Sequence, residues 1–490
     1  MQKISISQLK NVNVITFIIL VELIFLLILY KVCNIPITHD ETATTVLYSK
    51  FSYWEIMMYP DCWPNNHILN TIFTKFMITS FCPSQIIVRI PNLISFLIYS
   101  FSIFRIGKTV LKTSSPFFLP VFIFFIFNPY LLDFFGLCRG YAMSCAFCTL
   151  SVSYFISGFS NRNKSHIWIA FFSAILASYA NFTLLVFLLT ATGFTWFYFL
   201  LQKITLKKKL LLPTILIIVF LVSYSLLIAN PIIKMTSTNQ FRYWDLKGFF
   251  CGTIFSMVSE SMYEASYANN KINNLISVIA VSLVAFNWVY IIYKFIKSKY
   301  SIEKLYSPIF IATGILTSCA LVSILQSELL ETPTLVERTA LFYFPLFASA
   351  FATTFIIFNE NKAILAKISV SVLLCLMFIF HLSGTMSLRT VKEWSFDENT
   401  LEVIDYFKKS YPRKNITLKT SWYFHPSFDF YKHTGMMPFI DLKDYNKSID
   451  INTDAEYYYL FATDYPLVSS KFDILYKISD ERWILKKKKK

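Results

Sequence analysis

The chain has 490 residues, 55% of them hydrophobic and only 15% charged, whereas an ordinary soluble domain carries about 25% charged residues. A net charge of +16 does not mark a nucleic-acid binder here, because the Lys and Arg sit in short loops between apolar runs, where they set membrane topology. A soluble globular fold is excluded, and the sequence reads as a polytopic all-α membrane protein of about eleven transmembrane helices followed by a small C-terminal α/β domain.

In chain order, the first apolar run, 12–33, is too long for a signal-peptide core and lacks a small-residue cleavage site behind it. It reads as a retained signal-anchor helix. Further spans are expected at 86–104, 116–134, 140–159, 166–181, 183–202, 210–230, 273–295, 305–326, 339–358 and 363–383. One set of connecting segments holds Lys3 and Lys10, Arg105, Lys108 and Lys112, Arg162 and Lys164, Lys203 and Lys207–Lys209, and Lys294, Lys297, Lys299 and Lys304. The positive-inside rule makes these cytoplasmic. Apart from Glu22, Glu303 and Glu360, the acids before residue 384 fall on the opposite side, so the search for chemistry turns there. The nine Cys are scattered, several inside apolar runs (Cys138, Cys145, Cys148, Cys375), and read as buried thiols rather than a metal or disulfide framework.

The opposite face carries the longer segments. Residues 34–85 mix aromatic and polar groups over 41–58 and 66–81, as helices lying on a membrane do, with breaks at Pro60, Pro64 and Asn65-Asn66. Residues 231–272, containing TSTNQFRYWDLKG, read as a loop long enough to cover a site. The transmembrane module is set at 1–383. From 384 to 490 charge rises and periodicity shortens. Residues 398–410 read as an amphipathic helix, 415–422 and 455–463 as strands, and Lys486–Lys490 as a solvated tail.

The candidate site residues follow the same order. Just after the first span comes Ile37-Thr38-His39-Asp40-Glu41-Thr42-Ala43. Adjacent carboxylates at a membrane surface are costly to desolvate. They form either a solvated first turn of a helix or an acid/base cluster, and His39, Asp40 and Glu41 also offer ligands for a divalent metal. Next come Asn65-Asn66-His67, Arg89-Ile90-Pro91-Asn92, Leu132-Asp133, Arg139-Gly140-Tyr141, and Glu337-Arg338 running into Phe342-Tyr343-Phe344-Pro345. Arg139 and Arg338 each fit a phosphate clamp or an arginine snorkelling to the interface. Arg89 reads as structural, and Arg242 and Lys247 as loop charges. Asp133 is a candidate partner of Arg139 or wall of an acceptor pocket; Asp245, Glu260 and Glu264 read as loop charges.

This ordered set over roughly 34–345 resembles the GT-C superfamily of membrane glycosyltransferases, in particular the group of protein O-mannosyltransferases and the lipid A aminoarabinose transferase. It departs from the family where Phe134-Phe135-Gly136-Leu137-Cys138 replaces a polar-rich run before Arg139. The resemblance implies transfer of a sugar from a polyprenyl-phosphate donor to a glycan, lipid or protein acceptor at the outer face of, by compositional bias, a bacterial inner membrane. Asp40 would be the general base, with Glu41 raising its pKa or orienting the acceptor. Arg139, Arg338 and His67 would hold the donor phosphate, and Asn66, Tyr141 and Asp133 would line the acceptor cavity. Alternatives are a polymerase using lipid-linked oligosaccharide and a carrier or flippase of a lipid-linked sugar. The low glycine count, 10 in all, and the clustering of charges at helix ends disfavour the carrier.

Overall fold

The computed structural model describes residues 6–202, 206–237, 248–263, 265–359, 363–412 and 414–488. The centre of the expected covering loop (238–247, with Arg242, Asp245 and Lys247) lies outside the described residues. So do Lys3, Lys203, Glu264, Glu360 and the last two lysines.

Each expected span is helical where the apolar runs place it. The helices are α1 (Ile6–Asn34), a juxtamembrane α2 (Ile68–Ser80), α3 (Gln85–Val110), α4 (Phe118–Ile126), α5 (Pro129–Phe135), α6 (Gly140–Ser160), α7 (Lys164–Ala180) and α8 (Leu185–Leu200). They continue with α9 (Leu206–Ser237), a short α10 (Phe255–Met262), α11 (Asn270–Lys297), α12 (Pro308–Leu330), α13 (Tyr343–Asn359) and α14 (Ile364–Thr385). Polar side chains start several of them. Ser84 accepts from the Ile87 amide, Asn163 from Ser165 and His166, and Asn269 from Ile272, each satisfying an otherwise orphaned N–H.

Two expectations change. The span 116–134 is broken into α4 and α5, bent by 65°. Asn128 precedes a proline, which disfavours helical backbone there, and its side chain caps the new helix through the Leu131 amide. Among the described residues, eight helices are long and apolar enough to cross a bilayer alone, or nine with the broken pair. The helices α7 and α13 have 17 residues each, about 26 Å at 1.5 Å per residue, short of a ~30 Å hydrocarbon core. Also, 41–58 is not one helix. It folds as a turn His39–Thr42, a wide turn Ala43–Leu47, a tight turn Tyr48–Lys50 and a helix Tyr53–Met57, because the run Thr44-Thr45-Val46 holds β-branched residues that crowd a regular helix.

The C-terminal region forms a five-stranded sheet of β1 (Ile416–Thr420), β2 (Ile440–Leu442), β3 (Tyr457–Phe461), β4 (Phe472–Lys477) and β5 (Arg482–Lys487), in the order β2-β1-β3-β5-β4. β1 is parallel to β2 and β3, and β5 is antiparallel to β3 and β4. Helices α15 (Thr400–Ser410) and α16 (His425–His433) bury Val403, Phe407, Phe428 and Tyr431 in one core with Ile416, Leu418 and Tyr459. That core also takes in Ile37, Val46, Val88 and Cys138. The small domain is thereby welded by apolar contact to the segment after α1 and to the start of α3, and these are the elements that carry the site.

The start of α6 is equally constrained. A Cβ on Gly140 would lie 2.2 Å from the Ala180 carbonyl at the end of α7 and 2.6 Å from the Cβ of the buried His67, so backbone would have to shift. Gly140→Ala is expected to destabilise the protein by roughly 1–3 kcal/mol through overpacking, read as a lower unfolding temperature in detergent.

Candidate active site

Residues 38–42 make one helical turn, so neighbouring side chains point about 100° apart. Glu41 turns inward and is completely buried (0% exposed), as is Arg89 on α3. Its Oε1 accepts from Arg89 Nε (2.8 Å) and the Cys138 amide (2.6 Å), and its Oε2 from Arg89 Nη2 (2.7 Å) and the Thr38 amide (2.9 Å). Arg89 spends its remaining protons on the carbonyls of Val32, Ile35 and Pro36 at the end of α1. Both charges are fully satisfied, the condition under which a desolvated pair is tolerated. Arg89 is structural. Glu41 has no side-chain oxygen left for acceptor or substrate, and its charge is paired with Arg89.

Asp40, one residue earlier, points the other way. Its Oδ2 lies 3.3 Å from Arg338 Nη1 and 3.6 Å from Arg139 Nη2. These three residues span 298 positions of the chain and converge at one point. Arg139 is buried and donates to the backbone carbonyls of Asp40 and Asn65 (3.1 Å each), which orients it, while its Nε has no partner among the described residues. Arg338 is 31% exposed and Asp40 17%, so this side of the cluster is open. Arg338 lies over the Trp394 ring and 3.6 Å from Glu393.

His67 is buried against Tyr141, ring centroids 4.7 Å apart, with Nε2 unpartnered among the described residues. Burial, then the positive Arg139 and Arg338, hold its pKa well below the ordinary histidine value, leaving a neutral ring beside two guanidiniums. Asn66 donates to the Ile56 carbonyl and accepts from Thr71. It braces the loop through both its amide nitrogen and its amide oxygen.

Asp133 does not meet Arg139. It pairs with Lys31 near the end of α1 and accepts from Tyr263 (2.6 Å) and from the Lys392 amide (3.1 Å), because the bend at Asn128 turns α5 back toward α1. The set His39, Asp40 and Glu41 does not converge on an ion. His39 bonds to the Tyr423 carbonyl, Asp40 faces the arginines and Glu41 faces Arg89. Among the described residues no cluster of three or more metal-ligating side chains occurs.

Sequence reasoning missed the segment just after α14. Glu393 accepts from Tyr130 and approaches Arg338, Lys392 pairs with Glu260 at 2.8 Å, and Asp397 accepts from the His39 amide at 2.7 Å. The only sequence signal was a mixed acidic and aromatic run, Lys392-Glu393-Trp394, at the change in composition. Glu337, next to Arg338, adopts a left-handed backbone (φ 49°), and burial, with Glu393 and Glu260, raises its carboxyl pKa. A cavity of about 690 Å³, lined by Phe249, Ser323, Gln326, Glu328 and Thr334 among others, borders the segment leading to Arg338.

No protein-family model matches the chain, and no curated protein matches it by sequence. A solved structure, ArnT from Cupriavidus metallidurans bound to undecaprenyl phosphate, aligns with a TM-score of 0.53 at 7% identity, covering 96% of this chain and 97% of that one. The apo form of the same protein aligns at a TM-score of 0.41 and 8% identity, covering 96% and 98%. The chain has the GT-C fold. That likeness runs over the long apolar helices, residues 34–85 and the C-terminal sheet alike.

Within this fold the Glu41–Arg89 pair is the test of the site's scaffold. Arg89→Leu strands a buried carboxylate and is expected to cost about 3–5 kcal/mol. The double variant Glu41→Leu with Arg89→Leu should recover part of that loss. Unfolding midpoints of the single and double variants check this.

Proposed function

We propose that the chain is a membrane glycosyltransferase that moves a sugar from a polyprenyl-phosphate donor to an acceptor hydroxyl on the face opposite its Lys- and Arg-rich loops. In a bacterial inner membrane this places the N-terminus in the cytoplasm, and the site and C-terminal domain in the periplasm. The observation that carries the reading is the Asp40 carboxylate flanked by Arg338 and Arg139 within 3.6 Å, in a fold whose solved neighbour holds undecaprenyl phosphate.

A lipid-linked donor keeps its phosphate at headgroup depth, where guanidinium groups bind two oxygens at once. Arg139, preset by two carbonyls, and the more exposed Arg338 take that phosphate, with the neutral His67 ring packed beside them. Both ion-pair contacts of Asp40 fall on Oδ2. Its Oδ1 is the oxygen that receives the acceptor proton. As that proton moves to Asp40, the acceptor oxygen bonds to the anomeric carbon and the bond to phosphate breaks. The leaving polyprenyl phosphate gains one negative charge, which the two arginines stabilise. One displacement inverts the anomeric centre. Asp40 thus acts as base and Glu41 as the buried anchor that aims it.

A turnover assay in membranes with labelled undecaprenyl-phosphate sugars checks the roles. Asp40→Asn should lose about 10²–10⁴ in kcat and still bind undecaprenyl phosphate. Arg338→Ala should weaken that binding by about tenfold or more, the worth of one charge-assisted hydrogen bond. Undiminished turnover in Asp40→Asn removes it from the role of base.

A further inference from the structure

The segment that carries Asp40 is held from the opposite side by the C-terminal domain. Ile37 gives its amide to Tyr431 Oη (3.0 Å), and its carbonyl accepts from Ser427 Oγ. The His39 amide donates to Asp397 Oδ2 (2.7 Å), and the His39 ring meets the Tyr423 carbonyl (2.9 Å). Thr42 Oγ1 donates to the Pro426 carbonyl (2.9 Å). Tyr431 also donates to Gln85 at the start of α3 (2.9 Å). Every one of these partners except Gln85 comes from residues 397–431, more than 350 positions beyond the segment they hold.

Asp397 is the group nearest the chemistry, one amide away from Asp40. It is buried, and its own segment is fixed from behind by Arg482 on β5, which donates to Glu398 (2.6 Å) and to the Ser395 carbonyl (3.1 Å). An unbroken line of bonds therefore runs from the sheet through Arg482, the 395–399 turn and Asp397 to the His39 amide. The groups facing Asp397 are Asp40, Glu41 and Arg482. Burial above all, with the two acids, raises its pKa above the ordinary aspartate value against the His39 amide and Arg482. Its bond to the segment is that of an acceptor for the His39 amide, a part an asparagine side chain can also play.

We infer that the C-terminal domain is a positioning element for the catalytic base, with Asp397 as its principal positioning residue and Ser427 and Tyr431 as its second grip on the same segment. This rests on the reading of Asp40 as base. Glu41 fixes which way the turn faces, and the domain fixes how far the turn reaches into the site. A displacement of about 1 Å of a reacting group is enough to cost roughly 10²-fold in rate, so removal of the grip is read chiefly in kcat; Arg139 keeps the Asn65 carbonyl and Arg338 stands on another segment, so donor binding changes little.

The test uses the full chain in membranes, with turnover of undecaprenyl-phosphate sugars and direct binding of undecaprenyl phosphate as separate readouts. Asp397→Leu should lower kcat about 10²-fold with KM for donor and undecaprenyl phosphate affinity within about twofold of wild type. Asp397→Asn, which keeps an acceptor oxygen for the His39 amide, should retain most of the activity. Ser427→Ala, a smaller change that leaves the domain core intact, should lower kcat in the same direction. Wild-type kcat in Asp397→Leu overturns the inference whatever Ser427→Ala shows, as does a loss in Asp397→Asn equal to that in Asp397→Leu. An inactive Asp40→Asn beside a fully active Asp397→Leu rejects the positioning role alone. An active Asp40→Asn rejects the base assignment itself.

Discussion

The arrangement depends on one desolvated ion pair. Glu41 and Arg89 lie where no water reaches, and each is paid for by hydrogen bonds to the other and to backbone: the Thr38 and Cys138 amides on one side, the Val32, Ile35 and Pro36 carbonyls on the other. Such a pair contributes little net stability over an apolar replacement, and its use is to select one geometry. Here it ties the end of α1, the start of α3, the loop before α6 and the turn after α1 into a single node. With Glu41 locked inward, the helical turn leaves Asp40 no direction except the open side, and the same node sets the Cys138 backbone, one residue from Arg139.

Around that node the charges are balanced in layers. Asp40 and Glu393 face Arg338 and Arg139, and a second layer of Lys31, Asp133, Tyr263, Lys392 and Glu260 lies beneath. Arg338 is presented by a segment with left-handed backbone at Glu331 and Glu337 (φ 50° and 49°), conformations that cost side-chain-bearing residues energy and persist where surrounding structure over-determines them. Arg139 is rigid and Arg338 more exposed. A buried cation and a more accessible one beside one carboxylate are what the proposed passage of a lipid-borne phosphate would require.

Much of this was legible in the sequence, for physical reasons that also explain the gaps. Membrane burial demands long apolar runs, so the helices announced themselves, and the helix at 400–410 and the strands at 416–420 and 457–461 showed their own periodicities. The break at Asn128-Pro129 was visible in principle as a cap followed by a proline, but an otherwise continuous apolar run masked it. Asp40, Arg139 and Arg338 are singled out by the ordered set of motifs they belong to, since each taken alone also fits a solvated turn or an interface arginine. Their neighbours did not separate into roles. Glu41 looked like a second catalytic acid, since nothing local reveals that its partner is Arg89 on another helix. Asp133 looked like a partner for Arg139 because Lys31, at the end of a span, reads as an interface anchor. Glu393 and Asp397 went unseen because their importance comes wholly from tertiary placement, and the segment carrying them has no motif.

The most direct measurement is an experimental structure of the full chain in a lipid nanodisc with undecaprenyl phosphate bound. The account expects phosphate oxygens within hydrogen-bonding distance, about 3 Å, of Arg139 and Arg338, with Asp40 beside them and Glu41 still locked to Arg89. A phosphate bound remote from both arginines, or an Asp40 turned away from the occupied site, would contradict it.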